Sequence, residues 1–433
     1  MDILNQLSKQ AEQVEIFSLE NEKTTVGYEA NQLKTSTVNE TKGTAVRVIR
    51  KGQLGFSASS DSQTMDKLAA NALESAAYGD KAPFSFPGSR PAPTVRTFDK
   101  VIADLPIKRL VEIGAEILEL ILPVEPSARV NIELERSLVS SSIRNQTGLD
   151  VSFQTSPFSI GVEVDRIEGD DVLIVFDQMG TTLWEQDYLG FARQLVEQFK
   201  LARKLTSMKP GKMPVLFSPT GSLALGLPLT EGLNGKEVYK GTSPLRSKVG
   251  EKIFDEKITV VDDGTIDGKF ASASYDDEGV PRRSNALIDK GVLKGFVYDL
   301  KTAGQSGVES TGNAGRGLFT APNPYLTNMV IQPGQTSLKD ILKNIDEGIL
   351  VEGVLGLGQG NTISGAFSNP LALAFKIEKG EIVGRVKDLS IAGNIYDLLK
   401  NVAAVSQESK WVYSTFNAPY ILIDGMNVAG KNQ

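Results

Sequence analysis

The chain of 433 residues contains no histidine and no cysteine. The missing thiols exclude disulfides, thiolate nucleophiles and Cys-based zinc sites together. The missing imidazoles remove the usual general acid–base group near neutral pH and the commonest metal ligand. Carboxylates, Lys, Tyr, Ser and Thr remain for chemistry, with an oxygen-only Mg²⁺ or Ca²⁺ site still open. No run of about 18 apolar residues occurs, so no membrane span is expected. The opening MDILNQLSKQAEQVEIF lacks the basic start and apolar run of a signal peptide, which points to the cytoplasm. Basic residues are also outnumbered, 46 Lys and Arg against 53 Asp and Glu, a net charge of −7. With no clustered Lys or Arg to neutralise phosphates, direct binding to nucleic acid is not expected.

What is present is ordinary globular material, 40% apolar and 23% charged. A chain of this length exceeds what one core supports, so two domains are expected. Residues 207–214, SMKPGKMP, shift to Lys, Pro and Gly between two patterned segments. The boundary is placed there, giving domains of 1–208 and 209–433.

In the first half, Ile3, Leu4, Leu7, Ala11 and Val14 share one stripe and predict a helix over residues 2–14. Alternation then predicts strands at VEIFSLE, TTVGYEA and TAVRVIRKGQLGFSASS, with Lys51 and Gly52 turning between two of them. Residues 61–79 read as a helix with Gly79 as its C-terminal cap, residues 82–99 as a proline-rich connector, and a helix resumes at Pro106. Strand-like runs at RVNIELE, SLVSSSIRN, GLDVSFQ, FSIGVEVDRIEG and DDVLIVFDQ follow, paired as hairpins across 145–148 and 168–171, and then a long helix over 183–205.

The second half is rich in short strand candidates, with helices expected only at 337–345 and 394–402. The class is α+β: an N-terminal α/β domain of antiparallel sheet and helices, then a mainly antiparallel β domain.

The chemistry-bearing stretch is 221–264, in which an apolar run passes into a glycine-punctuated loop with Glu231, then a basic segment and a strand ending in Asp262 and Asp263. Glu231 alone lacks the partner a general base needs. Asp262, Asp263, Asp276, Asp277 and Glu278 could supply an oxygen-only cation site, but strand-end carboxylates more often cap backbone N–H groups. Lys248, Lys252 and Lys257, interleaved with Glu251, Asp255 and Glu256, read as a solvated mixed-charge face. The run GLGQGNTISGAF, residues 356–367, lacks the order of a P-loop. Its glycines suit either a tight turn or close approach of a peptide backbone by strand addition, which singles out Gly358, Gln359, Gly360, Asn361 and Thr362.

Several segments, in order, resemble one family: GTAVRVIRKGQLGFSASSD, ALESAAYGD, KGTSPLRSKVGEKI, VVDDGTIDG, YDDEGVPRRSNALIDKGVLKGFVYDLKTA, TGNAGRG, QGNTISGAF and SIAGN. This is the TldD/PmbA family, once described as modulators of DNA gyrase and read as a peptide-processing metalloprotease. The resemblance runs from about Gly43 to Gly430; each motif is weak alone, and their shared order is specific.

In the TldD kind of subunit, a His-Glu-x-x-x-His motif and a late cysteine bind zinc. Here the corresponding positions carry Gly226, Leu227 and Glu231, and no late cysteine precedes APYILIDGMNVAG, so no catalytic residue carries over. The resemblance therefore implies a PmbA/TldE-like subunit with no cofactor of its own, zinc lying in a TldD-like partner. Implied partners are that subunit, in a heterodimer enclosing a peptide channel, and a peptide substrate; alone, the chain could pair with itself as a homodimer. The alternative is a stand-alone homodimeric peptide-binding or scaffold protein without protease activity. Pro228 is expected to interrupt any helix in this stretch.

Overall fold

The computed structural model describes residues 3–61, 65–185, 187–359 and 361–430. A short helix α1 (Ile3–Leu7) precedes a sheet of seven antiparallel strands: β1 (Gln13–Glu29), β2 (Gln32–Arg50), β3 (Gln53–Ser59), β4 (Arg129–Asn145), β5 (Asp150–Thr155), β6 (Phe158–Glu168) and β7 (Asp171–Thr181). Their order is β3-β2-β1-β4-β6-β7, with β5 beside β4. Between β3 and β4 lie α2 (Met65–Ser75), α3 (Lys100–Ala103) and α4 (Ile107–Ile121), and α5 (Leu189–Ala202) follows β7. Helix α4 turns Leu110, Ile113, Ile117 and Ile121 inward, and Tyr28 of β1 packs on Gly114, its hydroxyl donating to the Val111 carbonyl at 2.6 Å.

Several sequence expectations shift here. The N-terminal helix stops at Leu7, because Val14 and Ile16 pair into the sheet and bury against Val46 and Val48. VEIFSLE and TTVGYEA form one strand, as do RVNIELE and SLVSSSIRN, because β1 runs beside both β2 and β4 through its polar middle. Gly79 is extended, at φ −77°, and caps nothing in the left-handed manner. It is glycine because a Cβ there would lie 1.8 Å from the Leu54 carbonyl oxygen. The helix expected over 183–205 is trimmed to α5, since the Leu183 and Trp184 amides are taken by the Thr181 hydroxyl and the Asp99 carboxylate. Lys51 and Gly52 do form the β2–β3 turn, both with positive φ.

Strand β3 pairs with β2 only between Thr44 and Arg50. The outer half of β2, residues 32–42, therefore pairs with β1 alone and is exposed along its length.

The chain enters a second sheet at β8 (Gly211–Phe217), which is followed by α6 (Leu223–Gly232) and α7 (Gly235–Lys240). Strands β9 (Val260–Asp263), β10 (Ser284–Asp289) and β11 (Val292–Leu293), helix α8 (Leu300–Ser306) and the small pair β12 (Ala314–Gly315) and β13 (Asn323–Pro324) come next. Then follow β14 (Met329–Ile331), α9 (Leu338–Lys343), β15 (Glu347–Val354), β16 (Ala366–Glu378), β17 (Glu381–Arg385), β18 (Leu389–Asn394), α10 (Ile395–Leu398), β19 (Val402–Val412) and β20 (Phe416–Gly430). The sheet order is β11-β10-β9-β14-β20-β18-β16-β15-β8, mainly antiparallel, with parallel contacts β14–β20 and β15–β8. Ser337 caps α9 and Asn394 caps α10, but α10 ends at Leu398 because Val402 already belongs to β19.

The second sheet is covered on both faces. Val215, Phe217, Ile349 and Val351 meet α6, while Leu216, Leu350, Leu373 and Phe375 share a core with α4, α5 and the first sheet.

A buried ionic network joins the two sheets. Arg47 of β2 binds Glu15 of β1 at 2.7 Å and Glu278, before β10, at 2.6 Å; Arg316 binds Glu15 at 2.8 Å. All four side chains are within 2% of full burial.

Candidate functional site

Helix α6 carries Gly226, Leu227 and Glu231 on adjoining turns, and Pro228 lies inside it. The expected interruption does not occur. Ala224, Leu225, Pro228 and Leu229 are all buried, and this packing offsets the one hydrogen bond a proline cannot donate.

Gly226 faces Phe416 of β20 so closely that a Cβ would lie 2.9 Å from the ring. No side chain of imidazole size fits there unless Phe416 moves. Leu227 points instead toward the loop joining β15 to β16, where a Cβ on Gly358 would come within 3.3 Å of it. Glu231, one turn on, is half-buried beside Tyr396.

That loop is 355–365. Gly356, Gly358 and Gly365 all have positive φ, which L side chains resist, so these glycines shape the backbone. A Cβ at Gly365 would also strike the Tyr396 ring at 2.5 Å.

Tyr396 of α10 holds the region together. Its hydroxyl reaches the Ile363 carbonyl at 3.1 Å and the Pro228 carbonyl at 3.3 Å, linking loop to helix. Burial, with the Glu231 charge beside it, pushes this hydroxyl above its ordinary range, so it stays a donor. Asn394 donates to the Ser364 carbonyl at 3.0 Å, and Asn369 to the Leu355 carbonyl at 2.6 Å.

Loop and helix enclose a groove of about 540 Å³ lined by Leu227, Gly358, Gln359, Asn361 and Thr362 among others. The structure thus brings the glycine-loop residues and the vacant-motif residue Leu227 onto one groove; Gly360 lies outside the described residues. Sequence reasoning missed Tyr396, Phe416 and the start of β16. Ala366 to Pro370 pair with β18 on one side, while β15 reaches only as far as Leu371 on the other. Among the described residues, no strand pairs with the other edge of β16 between Ala366 and Asn369, where the Ala366 amide is taken by the Ser364 hydroxyl, and this edge borders the groove.

The five carboxylates are differently employed. Asp262 accepts from the Thr327 amide and Asn313, and Asp263 from the Thr265 amide. Asp276 accepts from the amides of Glu278, Val280 and Ala314, and Asp277 from that of Arg316. Glu278 takes Arg47 and the Leu300 amide. Burial raises the carboxyls of Asp262, Asp276 and Glu278 above their usual range. Among the described residues, no three Asp or Glu side chains are grouped to hold a metal ion. Lys252 and Lys257 pair with Glu256 and Asp255 at the surface.

An α+β protein with one antiparallel and one mainly antiparallel sheet and a helix against the second is an architecture seen before. The sequence pattern of the PmbA/TldA metallopeptidase C-terminal domain matches residues 210–430, and that of domain 1 of the same proteins matches residues 14–76. The chain belongs to this family of PmbA/TldD metallopeptidases. The crystal structure of TldE from Thermococcus kodakarensis is similar at a TM-score of 0.90 and 28% identity, covering 99% of each chain. A Thermotoga maritima protein described as a modulator of a DNA gyrase also superposes at 0.90, with 25% identity over 99% of both chains. A metalloprotease of Methanothermobacter thermautotrophicus is 28% identical over 384 residues, 84% of this chain and 82% of its own.

The zinc that such metallopeptidases imply finds no fitting donors here. With no His or Cys in the sequence and Phe416 against Gly226, α6 offers Glu231 alone as a ligand.

Proposed function

We propose that this chain is the TldE-like, non-catalytic subunit of a two-subunit metalloprotease, pairing with a zinc-bearing TldD-like subunit and forming one wall of the peptide channel. The observation that carries this reading is the pair Gly226 and Phe416: packing, besides side-chain identity, closes the position of the first histidine. The groove beside α6 supports the peptide-handling part. Beyond Ala366, the β16 edge pairs with no other strand among the described residues, and the glycines remove side chains that would block an extended chain. An unfolded peptide fits this chemistry, because main-chain pairing asks only that the partner be extended. No described helix is long and apolar enough to cross a membrane.

The purified chain is mixed with a cognate TldD-like subunit and cleavage of an unfolded peptide is followed, with light scattering for stoichiometry. A one-to-one complex that cleaves, with neither subunit active alone, is the expected result. Chelator-sensitive cleavage by this chain alone would sink the proposal. A stable homodimer that ignores the TldD-like subunit would replace it with a stand-alone peptide-binding protein.

A further inference from the structure

A second internal space of about 800 Å³ lies on the face of β8 and β15 opposite α6, between the two sheets. Its volume is that of a small-molecule site. One part of the wall is apolar, with Leu195 from α5, Leu342 from α9, and Leu350, Leu373 and Phe375 from the second sheet. Its lip is the edge strand β7, where Val172, Ile174 and Phe176 stand 53%, 48% and 41% exposed. Such an apolar stripe on an edge strand calls for an explanation.

Polar and charged groups face this space as well, and its cations are engaged: Arg385 and Lys387 are bound to Asp171. Asp177 is buried, and its carboxylate is bound by Lys410 at 2.6 Å. The hydroxyls of Tyr413 and Tyr420 have no hydrogen-bond partner among the described residues, although both residues line the space.

Glu352 is the odd member. It sits where the β15–β16 register slips between Val351 and Gly353, a bulge of the kind that re-aims a side chain. It retains some accessible surface though closely surrounded by protein, as a side chain facing an internal space does. Ser218 and Gln198 stand beside it, yet no described cation comes within ion-pair distance of it. Burial, with Asp177 adding to it, pushes the carboxyl above its usual range against the pull of Ser218, Lys410 and Gln198. A carboxyl so enclosed loses its charge unless a cation is brought to it, and Lys410, the cation that bears on it, is already bound to Asp177.

We infer that this cavity is a binding site for a small apolar amine, its hydrocarbon body among the leucines and Phe375, its ammonium on Glu352. The two tyrosine hydroxyls are placed to take up remaining polar groups of the ligand. This site and the groove beside α6 lie on either side of β15 and meet at Leu355.

Isothermal titration calorimetry of the intact chain with n-octylamine, n-octanol and n-octanoate tests the assignment, since the three share a body and differ in head group. The amine is expected to bind at least about tenfold tighter than the alcohol, the difference a charge-assisted hydrogen bond carries, and the carboxylate weakest. Glu352→Gln, of the same shape, should bring amine and alcohol together. Leu342→Trp, which adds bulk to the wall from a partly exposed position, should weaken both, with a thermal melt verifying that the variant is folded. Equal binding of amine and alcohol by the unaltered chain, no binding of any probe, or a preference that survives Glu352→Gln would overturn the inference.

Discussion

Replacing Arg47 by methionine tests the buried network most directly. The substitution keeps an unbranched apolar stem and deletes the guanidinium that binds Glu15 at 2.7 Å and Glu278 at 2.6 Å. The losses are unequal. Glu15 keeps Arg316 at 2.8 Å, but Glu278 is left with the Leu300 amide as its donor. Glu278 is fully buried, so the variant encloses a carboxylate without a cation, which costs about 3–5 kcal/mol when it is charged. That is a large share of the roughly 5–15 kcal/mol that holds a folded domain.

The cost must depend on pH, and the sign follows from the pKa. Burial raises the Glu278 carboxyl above its ordinary 4.5, while Arg47 opposes the rise. A carboxyl raised in the folded state binds its proton more tightly there than when unfolded, so its contribution is most favourable at low pH and declines as pH rises through the folded value. Removing Arg47 raises that value further. Urea unfolding at about pH 8 should show the full loss, and at about pH 5, where Glu278 is largely protonated, a clearly smaller one. The double variant Arg47→Met, Glu278→Gln should recover much of the loss at the higher pH. A loss below about 1 kcal/mol at about pH 8, or one that is the same at both pH values, would refute the reasoning.

Two further outcomes are expected. Gly226→His with Glu231→His restores two zinc ligands on α6 but drives an imidazole into Phe416; overpacking should cost about 1–3 kcal/mol and leave the chain without stoichiometric zinc, and a stable, zinc-loaded variant by metal analysis would contradict this. Tyr396→Phe deletes the link between the Pro228 and Ile363 carbonyls, so a loss of about 0.5–1.5 kcal/mol should come with faster hydrogen exchange between Gly356 and Phe367, and unchanged exchange there would deny Tyr396 its positioning role.

The alternation of apolar and polar residues made most strands legible, because burying one face of a pleat leaves a period of two in the sequence. Strand lengths were not. Glu20 to Lys23 looks like a break, yet β1 runs through it, held by neighbours on both sides that only the folded chain supplies. The absence of ligands on α6 was readable from residue identity, whereas the reason Gly226 is glycine lies in Phe416, 190 positions away along the chain. The same holds for Pro228, whose penalty in a helix is local and whose compensation is tertiary. Nothing in the local pattern around Glu352 marks it, since its setting comes from a bulge and from side chains of elements distant in the chain.

The outer half of β2 has a consequence for the chain in concentrated solution. Its free edge, QLKTSTVNETK, is a length of strand ready to pair with another molecule. Only Leu33 and Val38 among these residues are apolar, and Lys34, Glu40 and Lys42 interrupt any run that could stack into a fibril. Colloidal behaviour is therefore written into these eleven positions rather than into the core: exchanging their threonines for valine or isoleucine would leave the folded state nearly as stable while turning a soluble edge into a nucleus for aggregation.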